Sequence, residues 1–170
     1  MMKALLAVLL LAAPALGQDQ AAAAMAAAGC GPHETEFSVK TSKKQRPLPQ
    51  AQPGKAVVAV LAEFPKLCVG GCITSRVAVD GTWMGANKGR SYFFFAVAPG
   101  EHRVCTAQQS KLAPLSERAA ALTLTAEAGE IYYFRVIFIN NELVLKTVDG
   151  AEWPLLLKSS PYSTSKVTKP

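Results

Sequence analysis

The chain has 170 residues, half of them apolar, and carries 18 basic against 12 acidic residues for a formal net charge of +6. The length fits one domain rather than several. The first apolar run is too short to cross a membrane as a helix, which takes about 20 residues.

That run belongs to a secretory leader. Lys3 supplies a positive start, Ala4 to Ala13 an apolar stretch, and Ala15-Leu16-Gly17 a small-x-small cleavage site before Gln18. Residues 1–17 are therefore expected to be a signal peptide. A second processing site competes with it: Ala27-Ala28-Gly29-Cys30 resembles a bacterial lipoprotein box in which Cys30 would carry the lipid. Against that, Ala27 stands where leucine is usual, and the polar Gln18-Asp19-Gln20 separates Cys30 from the apolar stretch.

Without Lys3 the mature chain holds 17 basic and 12 acidic residues. The excess gathers at Lys40, Lys43, Lys44 and Arg46, and again at Lys158, Lys166 and Lys169. Such runs are usually solvated linkers and tails. If they do bind, an exported protein meets anionic lipid and cell-wall polymers sooner than nucleic acid.

Cys30, Cys68, Cys72 and Cys105 form an even set behind an export signal, which favours disulfides over metal ligation. Three pairings are open. Gly70-Gly71 between Cys68 and Cys72 lets those two thiols approach, so Cys68–Cys72 with Cys30–Cys105 is preferred.

In chain order, residues 18–54 read as an Ala-rich leader, a short edge strand over Phe37-Ser38-Val39-Lys40, and a polyproline-like connector with Pro47, Pro49 and Pro53. The domain itself is expected over 55–158. Lys55 to Phe64 is a buried strand, and Ile73 to Val79 another. Asp80-Gly81 then turns the chain by a type I′ hairpin into Thr82-Trp83-Met84. Gly85, Asn87 and Gly89 mark a loop.

Tyr92 to Val97 is apolar on both faces. Pro99-Gly100 turns into Glu101 to Ala107, where His102, Val104 and Thr106 share one face and Arg103, Cys105 and Ala107 the other. After a polar loop come strands over Ala119 to Thr125, Ile131 to Ile139 and Glu142 to Thr147. Asp149 and Glu152 suggest a capping box for a short helix through Lys158. Residues 159–170, polar and basic, read as a disordered tail. The sum is an all-β chain, an antiparallel β-sandwich of about eight short strands with one short C-terminal helix. A mature chain of about 150 residues buries about two-thirds of its unfolded surface, enough for one core.

Five segments in this order resemble the bacterial exported proteins grouped as domain of unknown function 2846. They are Pro53-Gly54-Lys55-Ala56, Val77-Ala78-Val79-Asp80-Gly81, Tyr92-Phe93-Phe94-Phe95, Pro99-Gly100-Glu101-His102, and the run from Ala126 to Arg135. The resemblance covers roughly 53–150. It implies an extracytoplasmic β-sandwich, with no catalytic residue to carry over. The Ala-rich leader and the Cys68–Cys72 turn depart from the family pattern.

No constellation calls for chemistry. His102 and Cys105 invite a dyad, but an offset of three on a strand sends them to opposite faces. Ser163-Thr164-Ser165-Lys166 matches S-x-x-K only formally. Asp80 and Glu101 are explained by their turns. No cofactor or metal is expected. Trp83, Tyr92 and Trp153 offer a ligand platform, weighed against the commoner fate of strand aromatics, which is the core.

The expectation is an exported protein, a non-catalytic binding or structural module of the periplasmic or extracellular envelope. The alternatives are a lipoprotein anchored through Cys30 and an enzyme of unknown type. The partner would be an envelope component or polymer rather than nucleic acid, with membrane contact only if Cys30 is lipidated.

Overall fold

A computed structural model of the chain describes residues 23–64, 73–109 and 118–170. The leader at 1–17 and both Cys68 and Cys72 lie outside the described residues.

Among the described residues, a helical segment at 23–27 precedes ten strands, with a short helix before the last: β1 (Glu36–Ser42), β2 (Ala56–Ala62), β3 (Thr74–Val79), β4 (Thr82–Lys88), β5 (Ser91–Val97), β6 (Gly100–Gln109), β7 (Ala119–Ala126), β8 (Ile131–Ile139), β9 (Glu142–Val148), α1 (Trp153–Leu157) and β10 (Tyr162–Lys169). They form a six-stranded sheet, β1-β10-β5-β2-β8-β9, and a four-stranded sheet, β4-β3-β6-β7. The all-β reading holds, but ten strands replace about eight. The pairing is also mixed rather than antiparallel throughout, because β2 runs parallel to β8 and β10 parallel to β5.

The turns follow from their residues. Asp80 and Gly81 have φ of 50° and 77°, and Asn140 and Asn141 of 48° and 66°. Both central positions of a type I′ turn require positive φ, and these residue types tolerate it. Each turn joins adjacent antiparallel strands, β3 to β4 and β8 to β9.

The two faces of the larger sheet are buried against different things. Along β2, Val58 and Val60 face one apolar cluster with Val77, Val79, Val104 and Leu124 from the smaller sheet. Ala59 and Leu61 alternate to the other face, where Tyr92, Trp153, Leu156 and Leu157 cover them. That second burial explains why β2 is apolar on both sides. β4 also lies against β10 and β5, and β7 against β9, so the sheets meet along both edges.

Several expectations are overturned. Gly85 and Asn87 sit inside β4 rather than in a loop. A Cβ on Gly85 would fall 2.7 Å from the Phe93 ring, so the glycine answers a close approach and not a turn. The capping box is absent: Asp149 Oδ1 accepts from the amide of Ala151, and Glu152 makes no side-chain cap. Instead Glu152 lies 3.6 Å from Arg135.

The largest correction concerns the ends. Residues 159–170 are not a disordered tail, since β10 lies between β1 and β5. The sheet thus extends beyond the 55–158 boundary on both sides. Past Tyr162, whose ring packs against Tyr92 and Phe94, β10 is held inward by hydroxyls. Ser163 Oγ donates to Asn87 Oδ1 at 2.9 Å, and Ser165 Oγ accepts from the amide of Ala86 at 3.0 Å. A strand anchored this way carries no hydrophobic alternation.

Candidate functional site

Three places gather side chains with chemical potential. The first is the face of the smaller sheet turned away from the shared cluster. Arg76, Ala78 and Cys105 lie there by register, with Ala78 opposite both Cys105 and Trp83. The N-terminal arm closes over them, starting from a helical segment at 23–27. Cys30 is bridged to Cys105, with Cα atoms 5.3 Å apart.

Beside the bridge, the guanidinium of Arg76 is 1% exposed. Its Nη1 donates to the carbonyls of His33 (2.8 Å) and Thr35 (2.7 Å), and Nη2 donates to that of Gln108 (3.3 Å). It also sits 4.9 Å from the centre of the Trp83 ring. Carbonyl dipoles and the ring face thereby offset the cost of burying the charge. Trp83 Nε1 donates to Pro32 at 3.0 Å, and a Cβ on Gly31 would collide with the indole. Trp83 is thus half-covered by the arm.

Tyr92, on β5 of the larger sheet, and Trp153, on α1 packed over it, are buried together edge to face with centroids 6.3 Å apart. Tyr92 donates its hydroxyl to the carbonyl of Pro47 at 2.8 Å, and burial pushes its pKa up. The three aromatics do not form one ligand platform. Two are core, and the third is committed to the arm.

The second place is the Asp80 turn. Asp80 Oδ2 accepts from His102 Nδ1 at 2.7 Å, and Oδ1 accepts from the amide of Arg103 at 2.8 Å. The other ring nitrogen, Nε2, lies 2.8 Å from the carbonyl of Ala98. A carbonyl and a carboxylate only accept, so the two contacts together favour the protonated imidazole, in which both ring nitrogens donate. The hydrogen bond to Asp80, then that to Ala98, raises the His102 pKa. The same contact with His102, then the amide of Arg103, lowers that of Asp80. With both nitrogens engaged, this histidine is poorly placed to act as a base. Cys105 lies on the opposite face with its sulfur in the disulfide.

The third place was not legible as one site, because it joins two distant charge runs. The β1–β10 pairing sets Ser38 opposite Lys166 and Lys40 opposite Thr164. Directly opposed residues share a face, so Lys40 and Lys166 are diagonal neighbours there. These residues line a concavity of about 300 Å³. Where the chain leaves β1 and enters β10, Lys43, Arg46 and Lys158 line a second concavity of about 270 Å³ with Ser159, Ser160 and Pro161. Arg46 is fixed by donating to the carbonyl of Leu157.

Among the described residues none of these five cations has a carboxylate partner. Arg90 and Arg135, by contrast, are both paired with Glu63. Ser163 and Lys166 of the S-x-x-K match face opposite ways, and Ser163 is buried. No group of three potential metal ligands occurs among the described residues. No helix there is long and apolar enough to cross a membrane.

Residues 52–151 match the family model described as "Protein of unknown function (DUF2846)". The chain belongs to that family. The DUF2846 match spans β2 to β9 and leaves Cys30, β1, α1 and β10 outside the matched residues. No curated protein and no solved structure matches the chain.

Proposed function

We propose that this DUF2846 chain is an exported, non-catalytic binding module of the cell envelope, built as a two-layer β-sandwich. The Cys30–Cys105 bridge carries the reading, because disulfides persist in oxidising compartments and are rare in the cytosol. The export leader read from residues 1–17 agrees with it. Non-catalytic use is favoured because His102 and Cys105, the one dyad the sequence offered, are each committed to another partner.

The bridge weighs against the lipoprotein alternative. It occupies the Cys30 sulfur that a thioether-linked lipid would need. Processing at Cys30 would also remove Met25, which is buried with its sulfur 3.4 Å from Arg76.

The test is the mature protein recovered from a bacterial host with its own leader intact. Mass spectrometry should give a chain starting at Gln18, and a non-reducing digest should give a peptide joining Cys30 to Cys105. A chain retaining Met1 in the cytosol, or a diacylglyceryl group on Cys30, would overturn the reading. So would a hydrolytic activity abolished by one point substitution.

A further inference from the structure

We propose that the outer face of β1 and β10, continued by Lys43, Arg46 and Lys158, is a docking surface for an anionic lipid bilayer. The proposal deepens the envelope-module reading and rests on it only for which membrane is met.

Charge is the first argument. Lys40, Lys43, Arg46, Lys158 and Lys166 come from two runs more than a hundred residues apart and meet through the β1–β10 pairing and the Arg46 contact with Leu157. The paired stretch from Ser42 to Glu36 is roughly 23 Å long at the usual rise per residue. That exceeds the screening length of about 8 Å at physiological salt, so a single small anion would leave most of the face uncompensated. An extended negative surface would not.

The exposed apolar residues distinguish a bilayer from a soluble polyanion. Leu48 and Leu155 are each 60% exposed. Leu155 precedes Lys158 by three positions on α1, whose helical conformation continues through Lys158, so the two share a helix face. Leu48 follows Arg46, whose side chain is tied to that helix at Leu157. Cations flanked by exposed leucines suit an interface where phosphates lie above acyl chains. Single-stranded nucleic acid would call for exposed aromatics to stack on, whereas Tyr92 and Trp153 are buried. The two concavities have room for lipid phosphates, with Lys43 and Lys158 at one and Lys40 and Lys166 at the other.

The mature protein with its disulfide intact is titrated with vesicles of equal parts phosphatidylglycerol and phosphatidylcholine, and with vesicles of phosphatidylcholine alone. Binding is expected to the anionic vesicles only, weakening between about 0.1 M and about 1 M salt as the screening length falls from about 10 to about 3 Å. Each cation near such a surface contributes about fivefold in affinity, so K43Q/K158Q should lose roughly 25-fold and K40Q/K166Q as much again. Neither double variant touches the Arg46 hydrogen bond, and unchanged near-ultraviolet circular dichroism confirms that each is folded. L48S/L155S should weaken vesicle binding while leaving retention on soluble polyphosphate unchanged. Equal binding to uncharged vesicles, folded lysine variants that bind like the parent, or a leucine variant with no effect on vesicles would each overturn the proposal. Polyphosphate binding as tight as vesicle binding would assign the face to a soluble polyanion instead and also overturn it. None of these outcomes depends on where the leader is cleaved.

Discussion

Replacing Cys30 and Cys105 together by alanine tests how the arm is held. The bridge closes a loop with a sequence separation of 75 residues. Restricting an unfolded chain by a loop of that length is worth roughly 4.5 kcal/mol at 25 °C on the chain-entropy account. The stability of an ordinary domain is only about 5–15 kcal/mol, so the loss would be a large share of the whole. Alanine is the right replacement, because Cys105 is fully buried and a serine hydroxyl there would add an unmet hydrogen bond.

Equilibrium unfolding in guanidinium should show the double variant destabilised by about 3–5 kcal/mol, with the melting temperature lower by roughly 10–15 °C. Hydrogen exchange should report lost protection over residues 28–35 before any change in β2 or β8. A loss under about 1 kcal/mol with the arm still protected would refute the reasoning. It would mean that Arg76 and Trp83 seat the arm without help from the sulfurs.

Three further predictions follow from the described contacts. Arg76→Ala removes a buried guanidinium from three carbonyls and the Trp83 ring, and should cost about 3–5 kcal/mol by thermal unfolding; a loss under 1 kcal/mol would contradict its role. For the His102–Asp80 pair, the raised histidine pKa contributes stability that is full below its unfolded value near 6.5 and is lost as pH rises through the folded value. The lowered aspartate pKa contributes above about 3.9 and is lost as pH falls through its folded value, so the pair works best between about pH 4 and 6.5. Asp80 is half-exposed, so the gain after screening is about 0.5 kcal/mol; proton NMR should place the His102 titration above 6.5, and D80N should lower it. Ser163→Val should cost about 1–3 kcal/mol and raise hydrogen exchange along β10, because it removes the 2.9 Å hydrogen bond to the buried Asn87 Oδ1 and leaves that oxygen only the long contact with Ser91.

The central part of this fold could be read from residues because each local signal there agreed with the global one. Asp80-Gly81 and Asn140-Asn141 name their turns, and the runs in β2, β5 and β8 are apolar enough to be buried on both faces. Reading failed where a strand was built by other means. β10 presents serines inward, matched to Asn87 and to a backbone amide of β4, and no hydrophobic period announces that. Gly85 resembled a loop residue because composition cannot tell a turn glycine from one that makes room for Phe93. The basic face escaped for a topological reason. Both charge runs were visible, but their meeting depends on β1 pairing with a strand more than a hundred residues later. Trp83 was singled out as an aromatic, yet its partners are a buried arginine and an arm whose docking shows only in three dimensions.

The placement of β10 sets an order on biogenesis. β1 is made early and, among the described residues, has β10 as its one neighbour in the sheet. While the polypeptide is still emerging, that early strand waits with an open row of amides and carbonyls, and the larger sheet cannot be completed until residue 169 has been synthesised. By the same logic, cutting it short before residue 162 would leave β1 without its partner along Glu36–Ser42, and such a fragment should aggregate rather than merely lose an appendage.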